Sequence, residues 1–438
     1  MKDDKIRRMN SNAGFKLSIV ALAVASLLAF VSCSKFGSSK VEVVYLSRAT
    51  PDQLEVWEKL VSAFEKKHPG IKVRIENIPS GGSEYWTKLQ VMTAGGTPPD
   101  VVFMESQRIA GFVSKDSIVD LTPLVQRDSQ EIKMDDFFPQ AINAYTFHGR
   151  IYGIPNDIAI WVVFYNKDAL ESAGLPLPEE GWTWNDLLEY ARKLTVDKNG
   201  DGSPDMFGFY TPPWCYYLWI WQAGGDIFED PMNPVKPIFN TSPVIRAVSF
   251  VHDLLYRYRV MPLPTDFSSK GPTEFFSAGK IAMMIDGHWM VPYYEKAITT
   301  FEWDVAPLPK DKRRANWAGG SAFCIMKGTK HLEEAWKFVK FATGEEGQKI
   351  LVKLNFSTPA RKSIAYSKEF LSPPPGHEEV FVNEIKYGRI LPRHPRWLEM
   401  DDMIRNVLSE VWLDMKSPVD AAQQIQNSLQ KIVQGPEI

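Results

Sequence analysis

The stretch from residue 41 to residue 105 constrains the fold most. VEVVYLS (41–47) has the length and apolar content of a buried strand. Leu54, Trp57, Leu60, Val61 and Phe64 then recur at helical spacing, until His68, Pro69 and Gly70 stop the helix. IKVRIEN alternates as a strand does, a helix is predicted over roughly 84–94, AGGTPP breaks it, and DVVFM is a further apolar strand. Parallel strands need a crossover between them, usually a helix, so this order predicts an α/β fold built on parallel sheet with helices on both faces. Ligands of such sheets sit outside the carboxyl ends of the strands, which directs attention to the loops SRAT, MESQR and NDIAI.

Further along, HGRIYGIPND leads into the long apolar strand IAIWVVFYN, a crossing point rather than a terminus. Thr183 is a predicted N-cap with Asp186 three residues on, and Trp184, Leu187, Leu188, Ala191 and Leu194 form the stripe of its helix. Helices are predicted again at about 332–343, 400–415 and 419–433. The loop DKNGDGSPD places Asp197, Asn199, Asp201, Ser203 and Asp205 at alternate positions around Gly202, as oxygens around a calcium ion are placed. Position 12 is Gly208 rather than the bidentate Glu of an EF-hand, so any bound calcium is expected to be structural; the alternative is a hydrophilic Asx and Gly turn.

At the amino end, Leu17–Cys33 is an apolar run behind Lys2, Lys5, Arg7, Arg8 and Lys16. It is too short for a membrane span of roughly 20 residues and reads as a signal peptide over 1–32. Ser32 directly before Cys33 resembles a bacterial lipobox, which implies a lipidated Cys33 followed by a tether over 33–40 and an exported chain anchored to the membrane. Removal of 1–32 leaves 45 basic against 51 acidic side chains, a balance that gives nucleic acid nothing to bind. Cys215 and Cys324 each sit in an apolar run suited to a free buried thiol, and no disulfide between them is expected. The 14 Trp, 15 Tyr and 25 Phe are the telling excess, because several of the Trp lie beside Gly or Pro in loops, where flat apolar surfaces can meet a ligand.

The ordered series VEVVYLS, KKHPGIKVRIE, TAGGTPPDVVFMES, GRIYGIPNDIAIWVVFYNKDAL, GWTWNDLLEYARKL, FFSAGKIAMMIDGHW, WDVAPLPK, WAGGSAFCIMKGTKHLEEAWKFVKFATGEEGQ and STPARKS resembles the extracellular solute-binding proteins of ABC sugar importers, the maltose-binding-protein-like group. The resemblance covers nearly the whole chain after the signal. It implies a two-lobed periplasmic-binding-protein-like fold of type II, with lobe one at 41–154 and 306–355 and lobe two at 155–305 and 356–438. It also implies a carbohydrate ligand in the interlobe cleft, no required cofactor, a monomer, and delivery to permease subunits served by a separate ATPase. The chain carries no GxxxxGK[ST] of its own.

A pyranose offers an apolar face and a rim of hydroxyls, so its site calls for aromatic plates with carboxylates, amides or Arg around them. Trp289 after Asp286 and Gly287, Trp214 after Pro212 and Pro213, and Trp317 before Ala318, Gly319 and Gly320 are the expected plates. Ser47, Arg48, Glu105, Ser106, Asp157 and Asp286 are the expected polar partners, placed at strand ends or in the first crossing. Met104 stands where the maltose-binding branch has an aromatic residue, so the resemblance does not name the sugar. Two other readings stay open: a non-sugar solute on the same fold, and an exported carbohydrate-active enzyme using Glu105 with Asp157 or Asp286.

Overall fold

The computed structural model describes residues 40–435 apart from 80–82, 268, 269, 354 and 356, so the expected signal peptide and Cys33 lie outside the described residues. Strand β1 (Val41–Arg48), helix α1 (Pro51–Lys67), strand β2 (Ile71–Ile78), helix α2 (Glu84–Ala94) and strand β3 (Val101–Glu105) follow in the predicted order. Helix α1 starts where Thr50 and Gln53 close a capping box and Pro51 supplies a preset φ, and its apolar stripe packs Trp57, Leu60 and Phe64 into the core. β1 pairs parallel with both β2 and β3.

Strand β4 (Ile154–Pro155) ends the first lobe's run, and the chain crosses to strand β5 (Trp161–Asn166), which pairs with β6 (Met283–Gly287) and β7 (Trp303–Ala306). It then returns through β8 (Asn316–Trp317) to β9 (Ser321–Ile325). The first sheet has the order β2-β1-β3-β9-β4 and the second β6-β5-β7. The strand–helix succession predicts parallel sheet, and the structure departs from it. β9 runs antiparallel to β3 and β4, and the second sheet is antiparallel throughout, because β5 enters that lobe from the crossing while β6 and β7 head back towards it.

The two-lobed architecture stands, but the expected boundaries shift. Residues 307–315 stay with the second lobe, where Trp182 Nε1 donates to the Pro307 carbonyl at 2.8 Å and Lys312 N to the Gln222 carbonyl at 2.9 Å. Residues 358–366 stay with the first, where Phe138 N donates to the Ala360 carbonyl at 3.0 Å and Arg361 Nε to the Thr343 carbonyl at 2.6 Å. Beyond strand β10 (Gly388–Arg389), which pairs with β8, the chain forms a strap. Arg393 N donates to the Pro231 carbonyl of the second lobe at 2.8 Å, while its guanidinium donates to the Asn143 carbonyl of the first. Cys215 and Cys324 are buried and free. No helix among the described residues is long and apolar enough to cross a membrane.

Candidate functional site

A cleft of about 1090 Å³ lies between the lobes, beyond the range of roughly 300–1,000 Å³ that serves drug-sized ligands. Its first-lobe wall is charged. β1 ends at Arg48 and β3 at Glu105, and because the strands are parallel neighbours their terminal side chains meet as an ion pair. Arg108 Nε reaches the same carboxylate at 3.2 Å, with its guanidinium 4.3 Å from the Trp86 ring centroid, so one acid holds two bases at the mouth. Phe103 and Glu105 line the cleft while Met104, pointing to the other face of the strand, is fully buried away from it.

Asp157 forms the floor, in the first crossing. Its carboxylate accepts from Ser321 N at 2.7 Å, Ser321 Oγ at 2.6 Å and Asn156 Nδ2 at 3.1 Å. Burial still outweighs these donors and pushes its carboxyl above the usual aspartate range.

The second-lobe wall is aromatic. Trp289 leaves β6 in the turn His288–Met290 and lays its ring over Gly287, where a Cβ would come within 2.2 Å of the indole. Trp317 covers Gly319 in the same way, at 1.8 Å. Trp161, at the start of β5, stands edge-on to Trp289 at 5.0 Å and lies 6.3 Å from Trp317, which is 6.4 Å from Tyr217. The backbone of Trp161 is clamped by buried Asn316, whose Oδ1 accepts from Trp161 N at 3.1 Å and whose Nδ2 donates to its carbonyl at 2.7 Å. Trp214 projects from the turn Pro213–Cys215 and is 48% exposed, available at the rim in a way the enclosed Trp161 and Trp317 are not.

Of the residues singled out in the sequence, Arg48, Glu105, Asp157, Trp214, Trp289 and Trp317 converge on this cleft. Three do not line it. Ser47 is fully buried, donating to Asn77 Oδ1 at 2.7 Å, because it points to the opposite face of β1 from its neighbour Arg48. Asp286 turns into its own lobe, where Gly287 N and the Tyr294 hydroxyl, both at 2.8 Å, donate to it; burial pushes its carboxyl up to about 7. Ser106 lines a separate cavity of about 20 Å³ beside Trp317 and Arg393. Trp317 itself, expected on the first lobe, packs with second-lobe aromatics, since the chain returns only after Gly319. Sequence reasoning missed Trp161, Tyr217, Arg108, Asp401 and Arg405, all on the cleft wall. Trp161 was legible as the only indole in the crossing strand; Tyr217 is buried in an all-apolar helix that marks no face, and Arg108, Asp401 and Arg405 lie in a turn and a helix where no pattern singled them out.

The loop 197–205 gives the calcium expectation no support. Asp197 accepts from Gly200 N at 2.7 Å and Gly202 N at 2.9 Å, Asp201 from Ser203 N at 2.8 Å, and Asp205 from Lys198 N at 2.7 Å. The carboxylates thus accept from N–H groups of the loop's own backbone, and no cluster of three or more His, Cys, Asp or Glu suited to a metal occurs among the described residues.

Known proteins match along most of the chain. The profile of the bacterial extracellular solute-binding proteins fits residues 50–349. An arabinooligosaccharide-binding protein of Bacillus subtilis is 25% identical over 81% of the chain and 80% of its own length. A maltooligosaccharide ABC transporter solute-binding lipoprotein of Streptococcus pneumoniae is 26% identical over 80% of the chain and 82% of its own. Among solved structures, an ABC substrate-binding protein from Listeria monocytogenes in complex with cycloalternan superposes with a TM-score of 0.80 at 26% identity, covering 90% of the chain and 99% of that protein.

Proposed function

The chain belongs to the bacterial extracellular solute-binding proteins, and on that premise we propose that it captures an oligosaccharide between its lobes and delivers it to an ABC permease. The observation that carries the sugar is the cleft's construction. A wall of Trp161, Tyr217, Trp289 and Trp317, with Trp214 at the rim, faces the hydrogen-bonding groups Arg48, Glu105, Arg108 and Asp157. An indole covers the apolar face of a pyranose, and charge-assisted hydrogen bonds take the hydroxyl rim. The volume suits several sugar units rather than one. The names of the arabinooligosaccharide and maltooligosaccharide relatives point the same way.

Closing the hinge brings the two walls onto the ligand, and the closed form is what the permease, powered by a separate ATPase, receives. The protein works as a monomer held to the membrane through lipidated Cys33, so Cys33→Ala releases it. It returns oligosaccharides uncleaved: Glu105 is engaged by two arginines and Asp157 by Ser321 and Asn156, so both carboxylates hold geometry. Calorimetric titration of the protein lacking residues 1–32 with arabino-, galacto- and maltooligosaccharides tests the reading. Micromolar affinity or better, about −8 kcal/mol, is expected for at least one series, with the sugar recovered intact. Absence of heat and of thermal shift across all three series would overturn it.

A further inference from the structure

Beside the Trp289 platform lies a buried ionisable pair. His288 Nε2 sits 2.6 Å from Glu378 Oε1, and both side chains are 2% exposed. The imidazole is held between Phe370, at 5.2 Å and 30°, and Phe381, edge-on at 4.9 Å. His288 is the residue immediately before Trp289 in the turn that leaves β6. Glu378 is the N-cap of the helix Glu379–Glu384, whose Phe381 ring lies 6.1 Å from Phe164 of β5, inside the second lobe. The residue before Glu378, His377, is pinned as well, its Nδ1 lying 2.7 Å from Asp304 Oδ2 on β7. Among the described residues neither His288 Nδ1 nor Glu378 Oε2 finds a hydrogen-bond partner, so the pair is desolvated for the sake of one contact.

A buried pair of this kind is a poor source of stability, because desolvation consumes most of its attraction; what it supplies is a defined geometry. Here that geometry joins the base of an aromatic plate to the start of a helix packed on β5. We propose that His288 and Glu378 are positioning residues for Trp289: the pair fixes the platform's turn to the start of the helix Glu379–Glu384, so that the pose of the indole is set from within the second lobe by a residue far along the chain. The proposal rests on Trp289 being a ligand platform only for its consequence in binding; the positioning itself is testable without any ligand.

The protein is labelled with 5-fluorotryptophan, and the Trp289 and Trp214 fluorine resonances are assigned with Trp289→Phe and Trp214→Phe. In His288→Met, which keeps volume between the two phenylalanines and removes the donor, the Trp289 resonance is expected to shift or broaden while that of Trp214, in the same cleft but on another turn, stays in place. His288→Gln can return an amide N–H to the position of Nε2 and should restore the parent resonance. A Trp289 resonance unmoved in His288→Met, or a Trp214 resonance that moves equally, would overturn the proposal. Should His288→Met fail to fold, Glu378→Met, which keeps the volume and removes the acceptor, is expected to move the same resonance, and an unmoved one counts against the proposal equally. With maltotriose as the probe, His288→Met is expected to lose at least tenfold in affinity and His288→Gln less than threefold. If the parent protein ignores maltotriose, that failure belongs to the choice of sugar, and the resonances alone decide the positioning role.

Discussion

The two walls of the cleft are made of different material. The first lobe contributes strand-end charges, with Glu105 holding Arg48 and Arg108; the second lobe and the crossings contribute Trp161, Trp214, Tyr217, Trp289 and Trp317. The charged wall is softer, because it consists of long, partly exposed side chains held mainly by ion pairs with one another, with Arg108 lying over Trp86. The aromatic wall is stiff, since each deep ring is backed by a glycine, by another indole or by the Asn316 clamp. The lesson is a division of labour in which one surface fixes where sugar rings lie and the other adapts to their hydroxyls.

The comparison breaks most visibly if a residue placed inside the second lobe behaves as part of the wall. Asp286 is the sharpest case. Its carboxyl is raised from 3.8 to about 7 by burial, so the folded protein keeps a proton there that the unfolded chain gives up. The sign follows from linkage: the contribution is fully present below about pH 4, is lost as pH rises to about 7, and at roughly 1.4 kcal/mol per decade amounts to something on the order of 4 kcal/mol. Melting curves of Asp286→Asn should therefore lack most of this decline while ligand affinity stays within about twofold; a large loss of affinity would return Asp286 to the site.

Next in size is the stiff wall itself. Trp289→Ala should cost roughly 2 kcal/mol of binding, some thirtyfold by calorimetry, with melting little changed. The soft wall should respond less. Glu105→Gln removes the charge that neutralises two guanidiniums, and a loss of about tenfold is expected, with stronger dependence on ionic strength than in the parent. If Glu105→Gln proves costlier than Trp289→Ala, the division between the walls is wrong. Smallest of all, millimolar calcium should leave the melting temperature unmoved, because the carboxylates of 197–205 already serve their own backbone; a clear rise would restore the metal reading.

Much of the first lobe was legible because its strands and helices are long and regularly patterned: β1, α1, β2, α2 and β3 fall where periodicity puts them. The platforms Trp289 and Trp317 were legible for a local reason, each having a glycine two residues away on which a ring can lie. Ser47 and Asp286 misled because a strand's end tells which residues come near the crevice but not which side of the pleat faces it. The antiparallel second sheet and the shifted boundaries depend on long-range returns of the chain, and short windows of sequence carry no trace of those. Arg108, Asp401 and Arg405 are ordinary surface charges until the opposite lobe is set against them.

The way Trp289 lies over Gly287, and Trp317 over Gly319, has a consequence for how such a protein diversifies. Each plate has its footing within three consecutive residues, so ring and glycine are kept or lost together, while what fixes the pose of Trp289, the ring of Trp161 and the contact of His288 with Glu378, comes from elsewhere in the chain. A lineage can then exchange one sugar for another by redrawing the facing charges alone, leaving the plates and the hinge they grow from untouched.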